Sequence, residues 1–129
     1  MKNNQYNKVF INLSNHPSKS WSTQQLEAVG KLVPHAQIID VPFPAVESTI
    51  DESEIKKISE HLTEMIMSYH PCCVMCQGEF GVTFCVVTSL KDKGISVVYS
   101  CSERRVIEKT TEYGIEKTSV FVFARFRKY

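Results

Sequence analysis

Three polar clusters carry most of the side chains in this sequence that could hold an anion or move a proton. The first is Asn12, Ser14, Asn15, His16 and Ser18, the second Gln77, Gly78 and Glu79, and the third Ser100, Ser102, Glu103, Arg104 and Arg105. Together they offer an imidazole for acid–base work, two guanidiniums suited to phosphate, a glycine that lets a ligand approach the backbone, and several hydroxyl and amide groups. That inventory suits a phosphate-bearing ligand with polar bases. Neither the dinucleotide pattern G-x-G-x-x-G nor the P-loop pattern G-x-x-x-x-G-K-[ST] occurs, so those two readings lose their main signals. A nucleophile elbow G-x-S-x-G, an H-E-x-x-H helix and a paired-carboxylate motif are also missing from the sequence, which leaves covalent and metal-assisted hydrolysis without support.

Each of these residues also has a structural role open to it. His16 precedes Pro17 in a turn, and either caps that turn or meets a ligand. Glu79 opens a helix, where a carboxylate complements the macrodipole. Gln77 and Gly78 either shape a strand-to-helix turn or line a site. Arg104 and Arg105 alternate faces if they lie in a strand, so one of them solvates a surface or pairs with Glu103. Ser14 and Ser102, taken singly, are ordinary turn residues. The case for a site rests on convergence of the three clusters.

Convergence requires particular elements. Lys8 to Leu13 is β-branched and aromatic and stops at the turn formers Ser14 to Ser18, a strand followed by a polar loop. Ser22 with Gln25 makes a capping box, and Leu26, Val29 and Val33 recur at helical spacing until Pro34. Gln37 to Val41 reads as a second strand, and Asp51 with Glu54 caps a second helix whose apolar stripe runs from Ile55 to Tyr69. Cys72 to Cys76 is apolar on both faces, as a central strand must be when helices cover it on each side. Phe80, Phe84, Val87 and Leu90 are spaced for a third helix closed by Gly94, and Ile95 to Tyr99 is a fourth strand ending at Ser100 to Arg105.

The tail, Val106 to Lys109 and Thr118 to Tyr129 around Tyr113-Gly114, reads as a β-hairpin. Strict alternation puts Phe121, Phe123, Arg125, Arg127 and Tyr129 on one face of the last strand and Val120, Val122, Ala124 and Phe126 on the other. The two phenylalanines are then core residues, or else part of a contact surface for another protein. The expected fold class is α/β: a single Rossmann-like domain over residues 1–129 with a mainly parallel sheet, helices on both faces and a C-terminal β-hairpin. Ligands of such sheets bind outside the carboxyl ends of the strands. If strand order reverses between the first and third strands, the three clusters meet in one crevice.

Composition narrows the class further. The 129 residues are a usual size for one domain. No apolar run approaches the ~20 residues that cross a bilayer, and Met1 to Lys8 is polar rather than signal-like, so a cytoplasmic protein with no membrane partner is expected. The five cysteines are an odd number and read as free thiols of a reducing compartment. Cys73-x-x-Cys76 lacks the second ligand pair of a zinc site, so neither metal nor cofactor is expected. A net charge of +1 argues against long nucleic acid as partner, whereas the basic C-terminal part fits a small anionic ligand.

The stretch Phe10-Ile11-Asn12-Leu13-Ser14-Asn15-His16-Pro17, followed by Trp21-Ser22 and Gln25-Leu26, resembles the opening of small CRISPR-associated Rossmann-like (CARF-type) proteins. Gln77-Gly78-Glu79-Phe80 and Ser102-Glu103-Arg104 lie where such proteins would place their ligand loops. The resemblance implies a homodimer that binds a cyclic oligoadenylate, a cyclic oligonucleotide ligand, across its two-fold axis, either cleaving the ring or sequestering it. It implies His16 as acid or base and Arg104 or Arg105 as stabilisers of developing charge, with Asn12, Ser14, Asn15, Gln77, Gly78, Glu79, Ser102 and Glu103 as ligand contacts. No second histidine joins the set, because His35, His61 and His70 fall elsewhere. The alternatives are an enzyme acting on a mononucleotide or phosphometabolite in the same crevice, and a protein-interaction module.

Overall fold

The computed structural model describes residues 8–129; of the polar stretch Met1 to Lys8, expected not to be a secretion signal, all but Lys8 lies outside the described residues. The elements follow as β1 (Val9–Ser14), a 3-10 turn (Ser18–Ser20), α1 (Thr23–Leu32), β2 (Gln37–Pro42), α2 (Glu52–Met67), β3 (Cys73–Cys76), α3 (Phe80–Asp92), β4 (Ser96–Thr111) and β5 (Gly114–Lys128). They form one sheet of order β2-β1-β3-β4-β5, parallel through β4, with β5 antiparallel to β4. This is the expected α/β architecture with its C-terminal hairpin. No helix of the described residues is long and apolar enough to cross a membrane.

Each helix starts on a side chain that accepts an otherwise unpaired backbone N–H. Ser22 Oγ accepts from Gln25 at 3.2 Å, Asp51 Oδ1 from Glu54 at 3.1 Å, and Glu79 Oε1 from Val82 at 2.8 Å. Ser53 Oγ and the Glu54 N–H hold the Asp51 carboxyl below its ordinary range. β1 and β3 are buried along their whole length, as expected of strands covered on both sides. One face packs Ile11, Leu13, Val74 and Cys76 against α2 and α3; the other packs Phe10, Cys73, Met75 and Val98 against Val29 and Val33 of the α1 region. Cys73 and Cys76 therefore belong to opposite layers and cannot share a metal ion. Burial pushes both thiols up, that of Cys76 to about 12.

Three expectations need correction. The fourth strand does not end at Tyr99: β4 runs for 16 residues without a break, so Ser100 to Arg105 is ladder rather than loop. In α3 the buried row is Val82, Val86, Val87 and Leu90, whereas Phe80 and Phe84 face water at 91% and 72% exposure. Val82, Val86 and Leu90 repeat every four residues, so this branched row, rather than the phenylalanine row, meets the sheet. Finally, the ladder shifts register between Cys101 and Ser102. Cys101 pairs with Arg125 and Ser102 with Phe123, which leaves Ala124 as the extra residue of a β-bulge. The extra residue reverses the alternation. Phe121, Phe123 and Phe126 share the α1 side of the sheet, while Arg125, Arg127 and Tyr129 lie on the other, so the single contact face expected from alternation does not exist.

Candidate functional site

Strand order reverses between β1 and β3, because the chain crosses from β1 to β2 in one direction and continues from β3 to β4 in the other. The connections leaving β1 and β3 therefore diverge, and a crevice opens at their carboxyl ends. A cleft of about 420 Å³ occupies that position. On one side it is lined by Ser14, Asn15 and His16 and by Ser20, Trp21, Ser22 and Gln25 at the entry to α1. Ser100, Ser102, Phe121 and Phe123 of β4 and β5 line the other side, and Met75, Gln77 and Gly78 lie between them. No lining residue carries a carboxylate, and the single imidazole is that of His16.

The loop after β1 is held by a buried network. Asn12, only 1% exposed, donates through Nδ2 to the His16 carbonyl at 2.9 Å and to Asp40 Oδ1 at 3.0 Å. Its Oδ1 accepts from Ser14 Oγ at 2.7 Å, and Ser14 Oγ accepts from the His16 N–H at 3.2 Å. Trp21 Nε1 donates to the same His16 carbonyl at 3.2 Å, and the Ser18 N–H bonds the Asp40 carboxylate. The backbone of His16 is thus fixed from both sides while its side chain is exposed at the cleft. An imidazole held this way can accept or donate a proton without rearrangement of its loop.

Gln77 extends the β3–β4 ladder with its side chain. Its Oε1 accepts from Ser100 N at 2.6 Å and Ser100 Oγ at 2.7 Å, which leaves the Nε2 donor as the group it can offer a ligand. Gly78 is required for packing, because a Cβ there would overlap the Phe43 ring. At the far end of β5, Tyr129 Oη donates to the Cys76 carbonyl at 2.6 Å, and burial, with Cys76 and Tyr99 nearby, raises its hydroxyl to about 12.

Of the residues singled out in the sequence, the fold brings together Ser14, Asn15, His16, Gln77, Gly78, Ser100 and Ser102. Asn12 stands behind the loop as its support. Glu79 is spent on capping α3. Arg104 pairs with Phe121 in the ladder, and so projects from the cleft-facing side one step beyond Ser102. Arg105 and Glu103 project from the opposite side, where they form an exposed ion pair at 3.4 Å. The sequence reading missed Trp21, Gln25, Phe121 and Phe123 as lining residues. Trp21 had a usable signal, being the sole tryptophan, set in the loop right after the His-Pro turn; the two phenylalanines had none, since their side depends on the bulge.

Fold and site together define a doubly wound α/β domain with a carboxylate-free cleft at its topological switch point. The chain matches the uncharacterized protein MJ1673 family over residues 8–127, and it belongs to that family. No curated protein matches it.

Proposed function

We propose that this chain binds a cyclic oligoadenylate second messenger of type III CRISPR antiviral signalling, with two copies sharing one ring, in the cytoplasm. The observation that carries the reading is the lining of the switch-point cleft: hydroxyls, amides, an imidazole and aromatic rings, with no carboxylate to repel phosphate. Hydroxyl and amide donors suit phosphate oxygens, aromatic rings suit bases, and a two-fold axis would present the same groups twice to a symmetric ring. The resemblance of Phe10 to Pro17 to the opening of CARF-type proteins supplies the choice of ligand.

The same site allows cleavage that uses only the ligand's own nucleophile. The ribose 2′-hydroxyl attacks the adjacent phosphorus, the new O2′–P bond replaces the P–O5′ bond, and a 2′,3′-cyclic phosphate remains. His16 takes the 2′ proton, water protonates the leaving 5′-oxygen, and Arg104 stabilises charge on the phosphoryl oxygens. Incubation of the purified protein with cyclic tri-, tetra- and hexa-adenylate, followed by chromatography, tests both steps. Binding to one of the rings is the expected result, with linear products if His16 acts and intact ring in His16→Ala. Absence of binding to all three would reject the proposal.

A second reading, an enzyme for a mononucleotide or phosphometabolite, draws on the size of the cleft, since about 420 Å³ in one chain suits a single small ligand. It requires no dimer. A monomer in solution that binds a mononucleotide and none of the rings would favour it.

A further inference from the structure

Phe121 lines the cleft and is nevertheless 75% exposed. It ends an aromatic row on the cleft-facing side of β5. Phe126 is buried beneath Trp21, Phe10 and Phe123, with Phe123 and Phe126 ring centroids 5.0 Å apart, and Phe121 follows two residues beyond Phe123. Core packing accounts for Phe126 and for the half-buried Phe123. It does not account for Phe121, whose ring stands in water at the mouth of a cleft.

Its neighbour is informative. Arg104 is the ladder partner of Phe121, so the two side chains leave the same side of the hairpin with Cβ atoms about 5 Å apart. A flat apolar ring next to a guanidinium, at the edge of a cleft with no carboxylate, matches the two halves of a nucleotide: a base that stacks and a phosphate that accepts a forked pair of hydrogen bonds. We propose that Phe121 and Arg104 form a nucleotide subsite on the β4–β5 hairpin, with the base on the Phe121 ring and the phosphate on Arg104. Stacking on one open ring favours the larger π-face, so purines bind here more tightly than pyrimidines. The inference rests on the nucleotide reading of the cleft and adds the residues and the base class. Lys109, on the opposite side of the hairpin, takes no part.

The test compares wild type with Phe121→Ala, Phe121→Tyr, Arg104→Ala and Lys109→Ala, each titrated with AMP, CMP and cyclic tetra-adenylate by calorimetry, with base-proton NMR shifts recorded. In wild type and Phe121→Tyr the adenine protons move upfield on binding, and AMP binds more tightly than CMP. Phe121→Ala weakens binding about tenfold or more, as loss of one stacked base does, and abolishes the upfield shift. Arg104→Ala weakens binding and flattens its salt dependence, and Lys109→Ala does neither. If wild type binds and Phe121→Ala binds equally well, the subsite is wrong while the nucleotide reading of the cleft stands; the same holds if Phe121→Ala alters only self-association. If AMP binding depends on Phe121 but no cyclic ring binds, the subsite stands and the cyclic-ligand reading falls. No binding of any probe by wild type overturns both.

Discussion

β4 and β5 are built one way inside the sheet and another way beyond it. At the sheet end, Val97, Val98 and Phe126 are buried, and Tyr129 closes the ladder on the Cys76 carbonyl. Beyond the bulge at Cys101 and Ser102, the residues from Ser102 to Thr110 are all exposed, Val106 and Ile107 among them. Opposite charges face each other there, Glu108 with Lys117 at 3.6 Å and Lys109 with Glu116 as the next ladder pair. Burial sets the position of one half; cross-strand pairing and a bulge set the other. The site spans the boundary, with its loops anchored in the rigid half and Phe121 and Arg104 carried by the projecting one.

That contrast gives graded expectations. Truncating the rigid half has the largest effect: Ile11→Ala, at a fully buried position, destabilises by about 2–5 kcal/mol, whereas Ile107→Ala on the hairpin stays within about 0.5 kcal/mol, both read from denaturant midpoints. Equal costs would mean that the hairpin is buried against something in solution. Asn12→Ala leaves the His16 carbonyl and Asp40 without their buried donor and costs about 1–3 kcal/mol, with cleft binding lost alongside. A stable variant that binds normally would show that this network does not hold the loop.

Deleting Ala124 removes the bulge but keeps Phe123 opposite Ser102 and Phe121 opposite Arg104, so both phenyl rings stay on the cleft-facing side of the hairpin. Affinity for the cyclic ligand is then retained while the sheet still folds; a loss of binding would mean that the local twist of the bulge, beyond the side of the hairpin, aims the two phenyl rings. Alkaline pH probes the junction. The Cys76 thiol and the Tyr129 hydroxyl both rise to about 12 on folding, from ordinary values of 9.0 and 10.0. The folded state therefore holds their protons more tightly, and the stability they contribute is complete below pH 9 and declines as pH climbs toward 12. Thermal melts across that range should show the decline, with a shallower slope in Tyr129→Phe. Least of all, Glu108→Ala on the exposed hairpin pair costs under about 1 kcal/mol.

Most of the rigid half was legible in the sequence, because its signals are local. Ser22, Asp51 and Glu79 announce helix starts through short-range capping chemistry, and β3 shows its central place by being apolar on both faces. The reversal of strand order, which makes the cleft, was legible only as a condition, since pairing of β1 with both β2 and β3 is a long-range fact. The hairpin half was misread for the same reason. Whether Ser100 to Arg105 is loop or ladder depends on β5 lying beside it, and which side Phe121 takes depends on one unpaired residue, Ala124. Within the candidate site, His16 and Gln77 could be named from their positions after strands, whereas Ser102 was named as part of a loop that is in fact ladder. Asn12 and Glu79 could not be separated from them, because a buried support and a ligand contact use the same polar side chains.

Trp21 is the sole tryptophan of the chain and lines the cleft beside Phe10 and Phe126, so its fluorescence reports directly on occupancy. Titration with cyclic tri-, tetra- and hexa-adenylate, checked by calorimetry, should give a saturable change with at least one ring, and the same ring should bind more weakly to Arg104→Ala. Fluorescence that stays flat and heats that stay at baseline for all three rings would contradict the assignment of this cleft to a cyclic oligoadenylate.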